Sequence, residues 1–156
     1  MGNTGKKKQI LLFSRVFPPS HSKAGQPTGF ADKIASGSKI HTIRADSKGW
    51  WVRGERGINN GEKILAMRQW SGRPYNSPQV SIGDRERIGL QSIIMTYGSE
   101  DELPKAWVDG KPVRVELLAK NDGLSVEDFV EWFFGTKLYS GNVFEGVVIQ
   151  LTDFRY

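Results

Sequence analysis

The run Gly37-Ser38-Lys39-Ile40-His41-Thr42-Ile43-Arg44 places an amine, an imidazole, a hydroxyl and a guanidinium within eight residues. A lysine and an arginine at this density suit the binding of a phosphate or another anion. In an extended strand Lys39, His41 and Ile43 share one parity and Ile40, Thr42 and Arg44 the other, so neither face is cleanly apolar. The plainer account is a half-exposed edge strand whose charges discourage pairing. On that account Lys39 is a solvated charge or a phosphate contact and Thr42 a β-branched strand residue. Arg44 is then one half of an ion pair, and His41 an ordinary surface or packing histidine.

The neighbouring segments must position this run. Upstream, Gln9 to Phe17 predicts a strand. Its continuous apolar stretch Ile10-Leu11-Leu12-Phe13 suggests burial on both faces and a central place in a sheet. A Ser/Gly/Pro-rich loop follows over residues 20–27, then a short helix from Gly29 to Ser36 with Thr28 as its cap and Gly37 as its left-handed stop. Downstream, Ala45 to Gly61 holds four glycines, mixed charges and the pair Trp50-Trp51, and reads as a long functional loop or lid.

Further strands are expected over Lys63 to Trp70 and Arg87 to Tyr97. The turn-rich segment Ser71 to Pro78 follows the first, and Asp109-Gly110 marks a hairpin joining Ala106–Val108 to Val113–Leu118, with Pro112 near an edge. Ser125 can cap a helix whose apolar face is Val126, Phe129, Val130 and Phe133, stopped at Gly135, and Val143 to Thr152 closes the chain as a buried strand. This order predicts an α+β domain over residues 9–156 behind a flexible basic segment, residues 1–8. Its strands close, or nearly close, into a barrel of about six, with two or more helices against it.

The net charge of +5 is unevenly spread: residues 1–78 hold 14 Lys/Arg against 4 Asp/Glu, and residues 79–156 hold 8 against 13. The basic half contains the opening run, which points to a phosphate-bearing partner such as a nucleotide or RNA. With no cysteine and only His21 and His41, thiol chemistry, disulfides and a Cys/His metal centre are not expected, and no cofactor is implied. The absence of cysteine suits a cytoplasmic protein, and the apolar run Ile10 to Phe13 is too short for a signal segment or a membrane span. Phosphate-loop, dinucleotide-binding and Gly-x-Ser-x-Gly patterns are missing.

Residues 37–44 resemble the Gly-x-Lys-x-x-Thr-x-Arg signature of the ASCH domains, a group related to the PUA RNA-binding domains. The preceding helix, the segment Leu118 to Ser125 leading into the Phe129–Phe134 helix, and the ending Leu151-Thr152-Asp153 are similar too. The resemblance implies a PUA-like barrel. It also implies, by likeness to the small members that deacylate acetylcytidine, an amidohydrolase site made of Lys39, Thr42 and Asp122, with no metal. Those enzymes carry glutamate where this chain has Asp122, which reaches roughly 1.5 Å less.

Amide hydrolysis needs an activated nucleophile, an oxyanion stabiliser and a proton for the leaving amine. Arg44, Arg68, Trp70, Trp50 and Trp51 are the candidate substrate-binding residues. Since Lys39 and Thr42 are three apart, they can share a site only if the chain bends between them. The alternative is a non-catalytic nucleic-acid-binding module, in which Lys39, Arg44, Lys48, Arg53 and Arg56 touch phosphates and Trp50 or Trp51 stacks on a base.

Overall fold

The computed structural model describes residues 5–135 and 142–156. Residues 1–4 of the basic N-terminal segment therefore lie outside the described residues. The chain folds as α+β, with eight strands and four helices among the described residues. The strands form a three-stranded and a five-stranded sheet, and neither closes into the expected barrel.

In the smaller sheet, β1 (Lys7–Phe13) runs parallel to β3 (Lys63–Trp70), which pairs antiparallel with β4 (Gln79–Arg85). The order β1-β3-β4 puts β1 at an edge rather than in the centre. Its apolar run misleads because burial alternates: Gln9, Leu11 and Phe13 face inward, while Ile10 is 42% exposed. The buried Gln9 stands where an apolar residue would have made the alternation legible. Strand β4 follows the turn-rich segment Ser71 to Pro78 in a stretch where the sequence pattern predicts no element, and its pairing with β3 has a register irregularity between Met67 and Arg68.

The larger sheet has the order β2-β8-β5-β6-β7 and is antiparallel throughout. Its strands are β2 (His41–Arg44), β5 (Gly89–Tyr97), β6 (Lys105–Val108), β7 (Lys111–Val113) and β8 (Asn142–Gln150). Lying between β2 and β5, β8 buries Val147, Val148 and Ile149 on both faces, as its unbroken apolar run predicts. The hairpin of β6 and β7 turns at Asp109 and Gly110, whose φ values of 49° and 78° are those of a primed turn, and β7 with Pro112 is the outer strand. The expected second arm is short, because Val115–Asn121 is a helix, α3.

The stretch Ala45 to Gly61 is not a loop: Trp50–Asn59 forms helix α2, whose first N–H groups are held by Asp46 through Trp51 N (2.9 Å) and Val52 N (3.2 Å). Its glycines lie within the helix for a packing reason. A Cβ at Gly54 would run into the Gln9 side chain, and one at Gly57 would crowd Lys63. Glycine here lets the helix approach β1 and β3 closely, with Trp51 and Ile58 buried beneath it.

Helix α1 (Phe30–Ser36) starts on Gly29 in a left-handed conformation and ends on Gly37 at φ 83°. Thr28 does not cap it through a strong bond but donates its hydroxyl to Ser14 O at 2.7 Å. Helix α4 (Val126–Phe134) is capped as expected, with Ser125 Oγ accepting from Asp128 N.

Gly146 on β8 lies against the backbone carbonyl of Arg44, where a Cβ has no space. Gly146→Ala is expected to force β2 and β8 apart and to cost about 1–3 kcal/mol. Urea unfolding measures this, and an unchanged midpoint would show that the pairing of the two strands is not tight there.

Candidate functional site

Gly37 turns the chain out of α1, and Lys39 N–H donates back to Lys33 O at 3.0 Å. At Ile40 the backbone changes partner: its N–H donates to Asn121 O at the end of α3, and its carbonyl accepts from Leu151 N beyond β8, both at 2.9 Å. Lys39 itself pairs with Asp122 as an isolated bridge. Regular strand pairing thus begins only at His41, and Lys39 and Thr42 line the same cavity.

That cavity encloses about 210 Å³. Lys39, Thr42, Arg44 and Asp122 provide its charged and hydroxyl groups beside Ser14, and Phe30, Trp132 and Phe133 are among its apolar walls. Trp132 is held in an aromatic group with Phe17, His21 and Phe30. His21 ties the 14–28 segment to α4, accepting Lys23 N–H on Nδ1 at 3.0 Å while Nε2 lies 3.2 Å from Asp128 O.

Lys39 and Asp122 are 2% and 4% exposed. The Lys39 ammonium donates to Asp122 O at 2.7 Å and to Asp122 Oδ1 at 3.0 Å, and lies 4.3 Å from the centre of the Phe30 ring. Burial pulls Lys39 below the usual lysine range, and the Asp122 charge and hydrogen bond oppose this without cancelling it. For Asp122 burial pushes upward, but the Lys39 charge and the hydrogen bonds from His41 and Lys39 outweigh it, so its carboxyl is held below the usual range. Asp122 Oδ2 takes no hydrogen bond among the described residues.

His41 is fully buried rather than a surface residue. Its Nδ1 lies 3.3 Å from Asp122 Oδ1 and its Nε2 2.6 Å from the Tyr156 hydroxyl, which also accepts from Asn121 Nδ2 at 3.1 Å. A tautomer with the proton on Nδ1 satisfies the whole chain: Asn121 donates to Tyr156, Tyr156 to His41, and His41 to Asp122. Burial pushes the Tyr156 phenol up to about 12, with the Asp122 charge adding to it and the Asn121 bond opposing. Arg44 is half-buried, donating from Nε to Thr42 Oγ1 at 3.3 Å and from Nη2 to Leu12 O at 2.7 Å. Burial lowers its pKa.

Of the sequence-derived candidates, Lys39, Thr42, Asp122 and Arg44 are thus brought together. The others are not. Trp51 is buried under α2, Trp50 is exposed with Lys63 5.7 Å from its ring, and half-buried Arg68 pairs with Leu12 across β1 and β3. Trp70 lines a separate, larger cavity. Tyr156 and Asn121 were not singled out from the sequence. Only the adjacency of Asn121 to Asp122 carries a signal for either.

The chain matches no known family model, no curated protein and no solved structure. Among the described residues no three His, Asp or Glu side chains converge as metal ligands, and no helix is long and apolar enough to cross a membrane.

Two outcomes follow from the buried network. Asp122→Ala strands the Lys39 charge and is expected to cost about 3–5 kcal/mol. Since the folded Asp122 pKa is depressed, its contribution is present above the ordinary value of 3.8 and lost as pH falls through the lower folded value, so the variant's acid unfolding profile should be flatter in that range. Tyr156 has the opposite sign: its contribution is full below pH 10 and lost between pH 10 and about 12. Alkaline unfolding of wild type and Tyr156→Phe checks this, because the difference isolates the phenol from Lys39, whose depressed pKa raises stability with pH up to its ordinary 10.5. Parallel alkaline curves would remove Tyr156 from the buried chain.

Proposed function

We propose that this protein is a small amidohydrolase that deacylates an N-acylated pyrimidine nucleoside such as N4-acetylcytidine. The ASCH-like signature and a PUA-like relationship are part of the same assignment. One observation carries it: the amine of Lys39, the hydroxyl of Thr42 and the carboxylate of Asp122 meet in one small cavity. At about 210 Å³ it lies below the roughly 300–1,000 Å³ of pockets for drug-sized ligands, which suits one acylated heterocycle.

The chemistry divides among the groups as follows. Asp122 Oδ2 takes a proton from water as the water oxygen bonds to the acyl carbon, and the carbonyl electron pair moves onto oxygen. Lys39 has two of its three N–H bonds committed to Asp122 and turns the third to that oxyanion. Thr42 accepts from Arg44, which leaves its own hydroxyl proton to orient the water. The C–N bond then breaks, its electron pair stays with the pyrimidine amine, and Asp122 returns the proton there, releasing the carboxylic acid and the free nucleoside.

Aspartate in place of glutamate is compatible with this scheme because Asp122 is joined to Lys39 through its backbone as well as its carboxylate. His41, backed by Tyr156, holds the carboxylate in orientation.

A nucleic-acid-binding module has one observation in its favour, the exposed Lys48, Trp50, Arg53 and Arg56 on and beside α2. Incubation with N4-acetylcytidine and simple amides, followed by chromatography, separates the two. Turnover is expected, falling at least ~100-fold in Lys39→Ala and Asp122→Asn. Lack of turnover together with RNA binding that weakens with salt and on replacing the α2 cations would decide for the module.

A further inference from the structure

We propose that a second cavity, adjoining the first at Leu12 and Ser14, is a subsite for the nucleotide next to the acylated base, so that the preferred substrate is an oligonucleotide. This rests on the amidohydrolase assignment above.

The second cavity encloses about 740 Å³ and shares Leu12 and Ser14 with the wall of the first. Its charged lining consists of Arg15 and Arg73, with no carboxylate among the lining residues. Both arginines are exposed. Its aromatic lining includes the pair Trp70 and Tyr75, with ring centres 5.1 Å apart. Guanidinium groups beside an aromatic platform suit a phosphate and a base face, and do not suit a cation.

Both walls are braced. The 71–78 turn is closed by Ser71 N to Pro78 O at 2.9 Å and by Ser77 Oγ to Arg73 O at 2.8 Å. Tyr75 is held at φ 65°, a left-handed conformation that a bulky residue adopts at a cost. Tyr75 is 85% exposed, so burial does not compensate that cost, whereas an aromatic platform facing a ligand would. The opposite wall is fixed by Thr28 N to Arg15 O at 3.0 Å and Phe17 N to Gln26 O at 2.9 Å.

With the acylated base beside Lys39 and Asp122, the sugar lies near Ser14, the linking phosphate reaches Arg15 or Arg73, and the next base meets Trp70. The free nucleoside leaves this second cavity empty.

The test compares N4-acetylcytidine with a trinucleotide carrying it between two uridines. The trinucleotide is expected to show a KM roughly tenfold or more below that of the nucleoside. Arg15→Ser with Arg73→Ser, and separately Trp70→Ala, should remove that advantage while leaving the nucleoside KM and kcat unchanged. Equal KM values for the two substrates, or variants that impair both alike, would overturn the proposal.

If neither substrate is hydrolysed, the amidohydrolase assignment falls and binding still tests the subsite. The unacetylated trinucleotide should quench tryptophan fluorescence, with a salt slope of about −0.7 for the one linking phosphate held by the arginines. The quench should be lost in the double arginine variant. Absence of binding, or binding that this variant retains, counts against the subsite.

Discussion

The buried pair of Lys39 and Asp122 is the interaction on which the remaining structure depends. Removing two charges from water costs several kcal/mol per ion, and a single contact does not recover it. Here the ammonium has two hydrogen bonds to Asp122 and the face of Phe30, and the carboxylate has a second donor in His41. These partners come from the exit of α1, the start of β2 and the end of α3. Holding the pair together therefore holds three elements at one point.

Such a pair is a poor way to gain stability, since apolar groups of similar volume often do as well. Its value lies in what it leaves available. Asp122 remains ionised with one oxygen that takes no hydrogen bond among the described residues, and Lys39 remains a donor in a place where bulk water does not screen it. Phe30, Trp132 and Phe133 form the dry wall that gives these charges their strength. The network behind them, from His41 to Tyr156 and Asn121, fixes the carboxylate through Oδ1.

Close backbone approach sets the frame around the pair. Gly146 lets β8 lie against the carbonyl of Arg44, and Gly123 at φ 79° lets the end of α3 pass within van der Waals contact of the Lys39 stem. Gly54 and Gly57 bring α2 onto β1 and β3 in the same way. These glycines also explain why residues 45–61 carry the sequence pattern of a loop and yet contain a helix. Glycine in a sequence signals a turn and a close helix contact alike, and only the partner across the contact distinguishes them.

Local signals determined what depends on near neighbours along the chain. The stop of α1 at Gly37, the Ser125 cap of α4, the Asp109-Gly110 turn and the doubly buried run of β8 all follow from residues within a few positions, and all occur. So does the concentration of Lys39, Thr42 and Arg44 in one run. Long-range placement was decided by the tertiary structure. The edge position of β1 depends on which strands remain to pair beside it, and the two open sheets depend on where β4 and β7 end their ladders. The burial of His41 depends on Tyr156, 115 residues away. No pattern near position 41 encodes that distance, because a hydrogen bond between distant residues leaves no periodicity in either segment. Asp122 was reached only through resemblance, and its contact with Lys39 exists because backbone pairing at Ile40 brings the end of α3 to the start of β2.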